Sequence, residues 1–440
     1  MPVLLTYLPA ILSMWLLGAH ALRGGQPGLM LAWALMPALF LLHRSWSHRI
    51  GQIALAAGVI LWANTGSSLI QIRIALDQPW TRLALILSGL ILLAVLGIIL
   101  LESQRVATRT QSDTGPQWAP AWAFALCAGL LSTTQAKVSF PILLPDRFLP
   151  GSGWLLILGL SIYAAELTRS FLMPGLKPRQ WSTKRIRLWG LFSAVFFVQL
   201  ILGLAGAERM LMTGQLHLPI PALIMAGPLY RGEGFFMLIL FLSTVALVGP
   251  AWCSWLCYIG AWDGLSSRTR KTPAPLPRWR QPVRLGLFVL VAGTAWGLRH
   301  WGAPISVALA LAAGFGLGGV AIMLTLSRRK GVMVHCTTFC PIGLLANILG
   351  KLNPFRVRIT EGCTGCGVCA AVCRYDALDE ERIALGKPHL SCTLCGDCVG
   401  SCPHTAMHYV FPGLSNANAR ALFVTMAVAA HAVFLGVARL

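Results

Sequence analysis

The feature that most constrains this chain is a series of long apolar segments. Residues 83–101 and 305–327, for example, contain no charged side chain. A run of about 18 or more apolar residues predicts a helix that crosses a membrane. Charged residues make up only 11% of the 440-residue chain, whereas soluble domains contain roughly 25%. The mean hydropathy is +0.70. These properties exclude a soluble globular enzyme and a disordered protein.

Hydropathy predicts about eleven transmembrane helices. They lie at about 3–21, 27–43, 51–71, 83–101, 118–135, 152–172, 187–207, 234–251, 283–299, 303–326 and 420–438. Residues 1–20 contain no Lys or Arg, so we expect the first span to be retained rather than cleaved as a signal peptide.

Lys and Arg are concentrated in alternate connecting segments, notably 169–187, 268–284 and 328–330. Because cytoplasmic loops carry an excess of Lys and Arg, this bias predicts a cytoplasmic N-terminus and a cytoplasmic segment from Arg328 to about Pro412. We therefore expect a multi-pass protein of a bacterial-type inner membrane, surrounded by a lipid bilayer. The net charge of +21 has the same origin and does not predict nucleic acid as a partner.

Eight of the thirteen cysteines form two copies of one motif, C-x2-C-x2-C-x3-C, at residues 363–373 and 392–402. Bacterial ferredoxins use this spacing for [4Fe–4S] clusters, and the fourth cysteine of each copy ligates the other cluster. The pattern predicts two cubane clusters. One is held by Cys363, Cys366, Cys369 and Cys402, and the other by Cys392, Cys395, Cys398 and Cys373. A zinc ribbon, the alternative, would need fewer cysteines in each knuckle.

Four further cysteines form a second internal repeat. Trp252-Cys-Ser-Trp-Leu-Cys-Tyr-Ile-Gly260 aligns with His335-Cys-Thr-Thr-Phe-Cys-Pro-Ile-Gly343, and each motif follows a pair of predicted spans. Residues four apart on a helix share a face, so the two cysteines of each C-x3-C pair are predicted to point the same way. We expect Cys253, Cys257, Cys336 and Cys340 to hold a third [4Fe–4S] cluster at the cytoplasmic face, with basic residues of 268–284 and 328–330 stabilising it. Redox-active thiol pairs and a zinc site are the alternatives.

Paired spans that each end in a C-x3-C motif, followed by two ferredoxin motifs, resemble the NapH/NosR group of polyferredoxin membrane proteins. The resemblance covers about residues 185–412. It implies a quinol dehydrogenase subunit that oxidises quinol at the membrane and passes single electrons through iron–sulfur clusters. A quinone or quinol, the quinone pool and a redox protein partner are therefore expected.

The chain departs from that pattern at several points. Tyr258 replaces the proline of the first C-x3-C-P motif, whereas Pro341 keeps it in the second. Arg374 replaces the proline that often follows the fourth cysteine of a ferredoxin motif, whereas Pro403 keeps it. About six predicted spans precede the region of resemblance.

The predicted fold is an all-α multi-pass membrane protein with a small α+β two-cluster ferredoxin domain. Four segments are expected. They are an N-terminal membrane domain at 1–180, a four-helix membrane core at 181–352, the ferredoxin domain at 353–412 and a C-terminal transmembrane helix at 413–440.

Two acidic features carry further predictions. Glu166 lies in a predicted span three residues before Arg169, which favours an ion pair on one helix face over a proton relay. Six of the fourteen acids lie between Pro354 and Pro412. They form either an ordinary solvated surface or, in the functional interpretation, a surface that steers a cationic redox partner.

Three functions are compatible with the sequence. The first is electron transfer between the quinone pool and a redox partner. The second is an accessory reductase that delivers electrons during maturation or reactivation of another metalloenzyme. The third is a transporter or sensor in which the N-terminal helices act and the clusters report redox state. Fold-level analogy does not choose among them.

Overall fold

The computed structural model describes residues 4–42, 44–102, 116, 118–210, 218–277 and 279–437. The chain forms two compact units, Met1–Pro174 and Gly175–Leu440. Secondary structure in the described residues is helical apart from one two-stranded sheet in the second unit.

The first unit is a bundle of apolar helices. They are α1 (Leu4–Arg23), α2 (Pro27–Leu35), α3 (Ser45–Ala75), α4 (Thr81–Leu101), α5 (Trp118–Lys137), α6 (Leu144–Phe148) and α7 (Gly153–Leu172), with a 3-10 segment at Met36–Leu42. Ala10, Leu55 and Ala94 belong to one buried core cluster of α1, α3 and α4. A Cβ at Gly97 would lie 3.0 Å from the Cα of Ala10, so a small residue there lets α1 and α4 approach closely.

Glu166 forms the predicted ion pair. Its Oε2 accepts from Nε of Arg169 at 2.9 Å, and its Oε1 accepts from the indole Nε1 of Trp46 at 2.8 Å. The guanidinium of Arg44 lies 4.0 Å from the same carboxylate. The prediction of an ion pair between Glu166 and Arg169 is therefore confirmed.

The second unit contains most of the remaining helices. They are α8 (Pro178–Leu204), α9 (Leu223–Arg231), α10 (Phe236–Val248), α11 (Tyr258–Ser267), α12 (Arg280–His300), α13 (Ile305–Ile322), α14 (Arg328–Lys330) and α15 (Pro341–Leu349). Short 3-10 segments lie at Glu208–Met210 and Gly249–Ala251, and π-helical turns at Trp252–Leu256, Met323–Ser327 and His335–Phe339.

Eight helices within the described ranges are long and apolar enough to cross a membrane. They are Trp46–Ala75, Thr81–Leu101, Gly153–Leu172, Arg179–Leu204, Phe236–Leu256, Arg280–His300, Ile305–Lys330 and Asn416–Val437. Each coincides with a predicted span, so the chain is a multi-pass membrane protein. The predicted spans at about 3–21, 27–43 and 118–135 are helical but outside this set, and the count of eleven stays a prediction. Residues 3, 43 and 438 of the predicted spans lie outside the described residues.

The segment with the two ferredoxin motifs has the predicted α+β character. Strand β1 (Arg356–Ile359) pairs antiparallel with β2 (Met407–Val410), and Arg356 lies opposite Val410. Three short helices complete it: α16 (Val368–Val372), α17 (Glu380–Ala384) and α18 (Asp397–Ser401). Helices α16 and α18 occupy equivalent places in the two motifs and pack against each other.

Helix α19 (Asn416–Val437) is the most buried of the candidate spans, with 67% of its apolar window inside the protein. Phe423 on this helix is fully buried and packs against Trp255, Phe355 and Tyr409. One C-terminal helix therefore supports both the first C-x3-C segment and the ferredoxin sheet.

Candidate metal centres

The first ferredoxin cage is formed by Cys363, Cys366, Cys369 and Cys402. These four cysteines line one pocket. Cys369 interacts electrostatically with Cys363 and Cys402, although 33 residues separate it from the latter. Cys366 is exposed, whereas Cys369 is buried, so this cage reaches the protein surface on one side.

The second ferredoxin cage is formed by Cys373, Cys392, Cys395 and Cys398. They line a second pocket. Burial raises the pKa of Cys373, Cys392 and Cys395 to about 12. Thiolates at these positions therefore need a cationic partner, which iron supplies. The structure thus brings together the two sets of four that the sequence pairs by the crossed ferredoxin rule.

The two cages have matching local geometry. Gly367 and Gly396 precede α16 and α18 with φ of +73° and +80°, a left-handed conformation that favours glycine. Cys373 and Cys402 each accept a hydrogen bond at their Sγ from the backbone N–H four residues later, both at 3.3 Å. The repeat in sequence is therefore a repeat in backbone conformation.

The membrane cysteine group, defined as Cys253, Cys257, Cys336 and Cys340, is held differently from our prediction. The cysteines of each pair do not lie on one α-helical face. Cys253 lies in a π-helical turn, and the N–H of Cys257 bonds to the carbonyl of Trp252 at 2.9 Å. Cys257 then leaves the helix with φ −75° and ψ 117°. Cys340 ends the second turn with the same two angles, so the wider turn is a property of the repeat.

Glycine is required at the end of each C-x3-C motif. A Cβ at Gly260 would lie 2.8 Å from the carbonyl oxygen of Cys253, and a Cβ at Gly343 would lie 2.8 Å from that of Cys336. Such contacts are too short for any other residue without movement of the backbone. The close approach folds each second cysteine back towards the first.

The second cysteine of each pair caps a new helix. Backbone N–H groups of Ile259 and Gly260, at the start of α11, lie near the sulfur of Cys257 and favour its ionised form. Ile342 and Gly343 at the start of α15 do the same for Cys340. A helix N-terminus stabilises negative charge, so these sulfurs are placed to act as thiolates.

The four cysteines of the membrane cysteine group lie within electrostatic reach of one another, since Cys336 interacts with Cys253, Cys257 and Cys340. Arg284 of α12 adjoins the group and is only 2% exposed. Its Nη2 donates to the carbonyl of Cys336 at 3.3 Å. Its Nε and Nη1 have no hydrogen-bond partner within the described part of the chain.

A buried guanidinium with unpaired N–H groups is costly. The free N–H groups of Arg284 therefore fit an anionic group bound between the sulfurs. Four thiolates around a [4Fe–4S] core form such a group. Among the described residues, no three His, Cys, Asp or Glu side chains converge on a site for a single metal ion. In a [4Fe–4S] cluster each thiolate binds a different iron, so the four sulfurs surround a space instead of meeting at one point. The cysteines of both ferredoxin cages border such a space.

Helix α8 presents one buried face to both kinds of site. Trp181, Arg185 and Trp189 lie four residues apart, and each is 1% exposed. The indole of Trp181 donates to the carbonyl of Cys395 at 3.1 Å, and that of Trp189 donates to the carbonyl of Cys257 at 2.7 Å. The face therefore extends from the second ferredoxin cage to the membrane cysteine group.

Arg185 lies between these two tryptophans and joins the same two sites. Its guanidinium forms an ion pair with Asp397 at 2.7 Å and donates to the carbonyl of Ser254 at 2.8 Å. The hydroxyl of Ser254 in turn donates to the carbonyl of Thr393 at 2.9 Å. Residues adjacent to Cys253 are thus bonded directly to the loop that carries Cys392 and Cys395.

Two of the six acids predicted to steer a partner have a different role. Asp397 is 4% exposed and pairs with Arg185 and Arg268. Asp376 forms an ion pair with Arg280. Burial opposes ionisation of Asp397, but the two guanidinium groups hold its pKa below the usual range. The steering prediction is wrong for this pair because both carboxylates attach the ferredoxin segment to basic residues of the membrane core. The other four acids are exposed: Glu361, Asp379, Glu380 and Glu381.

Arg374, which replaces the expected proline, also attaches the ferredoxin segment. Its guanidinium donates to four backbone carbonyls, those of Ser267, Arg270, Lys271 and Gly331. A proline could make none of these bonds. This departure from the family pattern therefore has a structural reason.

Sequence reasoning missed Arg185, Arg284 and the two tryptophans of α8. The spacing of Trp181, Arg185 and Trp189 is a helical signal that could have been read, because a cation within an apolar stripe needs a partner. Arg284 was included only as one of several basic residues near the site. Nothing in its local sequence distinguishes it from its neighbours.

Comparison with known proteins gives two kinds of match. A family described as "4Fe-4S binding domain" matches residues 230–280 and 309–360. These segments contain the two C-x3-C motifs, each with the helix before it. No solved structure gives a significant match to the chain.

Two curated relatives each match about half of the chain. The putative electron transport protein YccM of Escherichia coli is 28% identical over 225 residues, which are 46% of this chain and 59% of the relative. The methylamine utilization ferredoxin-type protein MauN of Methylorubrum extorquens is 28% identical over 243 residues, 49% of this chain and 82% of the relative. The chain thus spans less than two thirds of the first of them.

Proposed function

We propose that this polyferredoxin-type membrane protein carries electrons between the quinone pool and a protein partner through three [4Fe–4S] clusters. An iron–sulfur electron-transfer role follows from the family match and from the two relatives. The finer proposal is supported by one observation above all. The cysteine-bearing loops of the second ferredoxin cage and the membrane cysteine group are joined by a hydrogen bond from Ser254 to Thr393.

Each of the three groups of four cysteines is the ligand set of one cluster. The first ferredoxin cage, the second ferredoxin cage and the membrane cysteine group each supply four thiolates, as one cubane requires. A cubane accepts or gives one electron without a change in its protein bonds. The protein's task is therefore to fix the spacing of the sites, to exclude water and to balance charge.

Charge balance comes from buried arginines. Arg284 adjoins the membrane cysteine group with two free N–H groups. Arg185 interacts with Cys395 of the second ferredoxin cage. Positive charge beside a cluster favours its reduced, more negative form and raises its reduction potential.

The order of the three sites supports a linear relay. The membrane cysteine group adjoins the apolar helices, the second ferredoxin cage is bonded to it, and the first ferredoxin cage reaches the surface at Cys366. A lipid-soluble quinol and a water-soluble partner would meet opposite ends of this relay. Oxidation of one quinol releases two electrons and two protons. The electrons pass singly to the partner, and the protons are released to water at the membrane surface.

The location of the protein is part of the same proposal. The Lys and Arg bias supports a location of the ferredoxin domain on the cytoplasmic side of a bacterial-type inner membrane. All twelve cysteines of the three groups then lie on one side of a ~30 Å hydrocarbon core.

That arrangement also favours a second candidate, an accessory reductase. Because the three groups form one connected set, a protein partner on the same side could receive electrons for maturation or reactivation of its own metal centre. Steady-state oxidation of a quinol analogue with an artificial acceptor separates the two candidates. Turnover supports the quinol reaction, and its absence with intact clusters supports the accessory role.

Iron and acid-labile sulfide per chain test the number of clusters. We expect about twelve irons in anaerobically purified protein and about eight in a Cys253→Ser/Cys336→Ser variant, since each cubane holds four. EPR spectroscopy during a reductive titration should show the loss of one cluster signal. Cys127→Ser is the matched control, because this buried cysteine belongs to the first unit and should leave the iron content unchanged. Eight irons in all three proteins would rule out the third cluster.

A further inference from the structure

Tyr375 lies between the second ferredoxin cage and the membrane cysteine group. It lines the cavity bordered by the four cysteines of the second ferredoxin cage. Its hydroxyl interacts electrostatically with Arg185 most strongly, and then with Cys336, Cys395 and Cys253. One side chain therefore lies within electrostatic reach of cysteines of two separate sites.

The hydroxyl of Tyr375 is buried and has no partner. The residue is 3% exposed, and no described residue forms a hydrogen bond with the hydroxyl oxygen. A buried hydroxyl without a partner costs roughly 1–3 kcal/mol. Tyrosine hydroxyl groups usually find a partner when buried, so the position points to an acceptor that the protein itself does not provide.

The backbone holds Tyr375 firmly in this place. Arg374 on one side donates to four carbonyls of the membrane core. Asp376 on the other side pairs with Arg280 and accepts from the N–H of Leu276 at 3.2 Å. Both neighbours attach the segment to the membrane core, so the ring between them has little freedom to move away.

We propose that Tyr375 bridges the second and third clusters, with its ring against the second ferredoxin cage and its hydroxyl donating a hydrogen bond to a sulfur of the cluster held by the membrane cysteine group. This inference rests on the proposed third cluster and deepens it by naming the residue that couples the two sites. A hydrogen bond to a cluster sulfur stabilises the reduced form and raises the reduction potential. Tyr375 thus raises the reduction potential of the third cluster and forms a contact between the second and third clusters.

The variant Tyr375→Phe tests the proposal, because it removes the hydroxyl and keeps the ring. In an EPR-monitored redox titration of the full chain, the signal that disappears in Cys253→Ser/Cys336→Ser identifies the third cluster. We expect the reduction equilibrium of that cluster to shift about tenfold towards the oxidised form, a fall of about 59 mV for a one-electron couple. The iron content should stay at the wild-type value.

Tyr409→Phe is the matched control. Tyr409 is also buried beside the second ferredoxin cage, but its hydroxyl donates to the carbonyl of Leu394 at 2.8 Å. Its removal should leave the potential of the third cluster unchanged.

Other outcomes would overturn the proposal in distinguishable ways. If Tyr375→Phe keeps twelve irons and the potential of the third cluster is unchanged, the hydrogen bond to the third cluster is contradicted. A shift in the potential of the second cluster alone would contradict it as well. Loss of iron in Tyr375→Phe would show that the hydroxyl is needed for structure rather than for tuning. Only eight irons in the wild-type protein would remove the acceptor, and the three-cluster function would fail with it.

Discussion

Arg185 and Asp397 form a two-point ion pair inside the protein. The guanidinium Nη2 lies 2.7 Å from Oδ2 and Nε lies 3.0 Å from Oδ1, and both side chains are almost entirely buried. Arg185 belongs to a membrane-spanning helix, whereas Asp397 lies between two cysteines of the second ferredoxin cage. The pair therefore fixes an iron–sulfur site to the membrane part of the protein.

Removal of one partner of this pair should loosen the ferredoxin segment. A single buried charge left alone costs about 3–5 kcal/mol, so Asp397→Asn should lower the free energy of unfolding by several kcal/mol and expose residues 353–412 to proteolysis. Chemical denaturation and limited proteolysis would measure this. Asp379→Asn is the control, because its pair with His389 is exposed and is worth at most about 1 kcal/mol. Equal effects of the two substitutions would contradict the structural role of Asp397.

The glycines of the C-x3-C repeat should be essential for the third cluster alone. In Gly260→Ala and Gly343→Ala the new Cβ would lie 2.8 Å from a cysteine carbonyl, and the turn must open. We expect a loss of about four of twelve irons, since one cubane holds four, with the ferredoxin signals retained. Iron analysis and EPR spectroscopy would measure this.

Gly286→Ala provides the control for these glycines. This residue lies on α12, where an added Cβ would meet no atom of another element within 4 Å, so the substitution should keep all the iron. Full iron content in Gly260→Ala would show that the close approach is unnecessary.

Arg284 should set the reduction potential of the third cluster. In Arg284→Met the buried cation beside the sulfurs disappears, and the reduced form loses its charge partner. We expect the potential of that cluster to fall by about 59 mV or more, a tenfold shift in a one-electron equilibrium. A redox titration followed by EPR would measure it. Arg329→Met removes an exposed cation and should change the potential little. If both variants keep the wild-type potential, Arg284 does not compensate the cluster's charge.

The sequence allowed the cysteine sets to be predicted because cubane ligation imposes a fixed spacing, and the crossed pairing of Cys373 and Cys402 follows from it. Apolar length likewise predicted the helices, because backbone groups in a membrane must be paired within the helix. The π-helical turns at Cys253 and Cys336 could not be predicted in this way. Their geometry depends on the close approach of Gly260 and Gly343 to the carbonyls of Cys253 and Cys336. The i to i+4 spacing alone suggested a continuous helix.

The contacts of Arg185, Arg374 and Asp397 were also beyond the sequence. Each depends on the fold bringing together segments more than 40 residues apart. From the sequence alone Asp397 was grouped with the acids expected at the surface, because most carboxylates in proteins are exposed. Only the tertiary structure shows that this one faces two guanidinium groups.

The exchange of proline for tyrosine at position 258 gives the last prediction. Tyr258 is the first residue of α11, where the backbone N–H has no helical partner and proline is accepted. Pro341 occupies the same place at the start of α15. Tyr258→Pro should therefore keep the third cluster and about twelve irons, although it loses the stacking of the Tyr258 ring on Phe196 at 3.9 Å.

Ile259→Pro is the contrasting substitution, one residue further along. Its backbone N–H lies near the sulfur of Cys257 and favours the ionised form of that thiol, and proline has no N–H to give. We expect this variant to lose about four irons, while both ferredoxin signals stay. Iron analysis of the two variants side by side measures the difference. Equal iron in both would show that the amide N–H groups near the sulfur of Cys257 are dispensable, and equal loss would show that the tyrosine ring itself is needed.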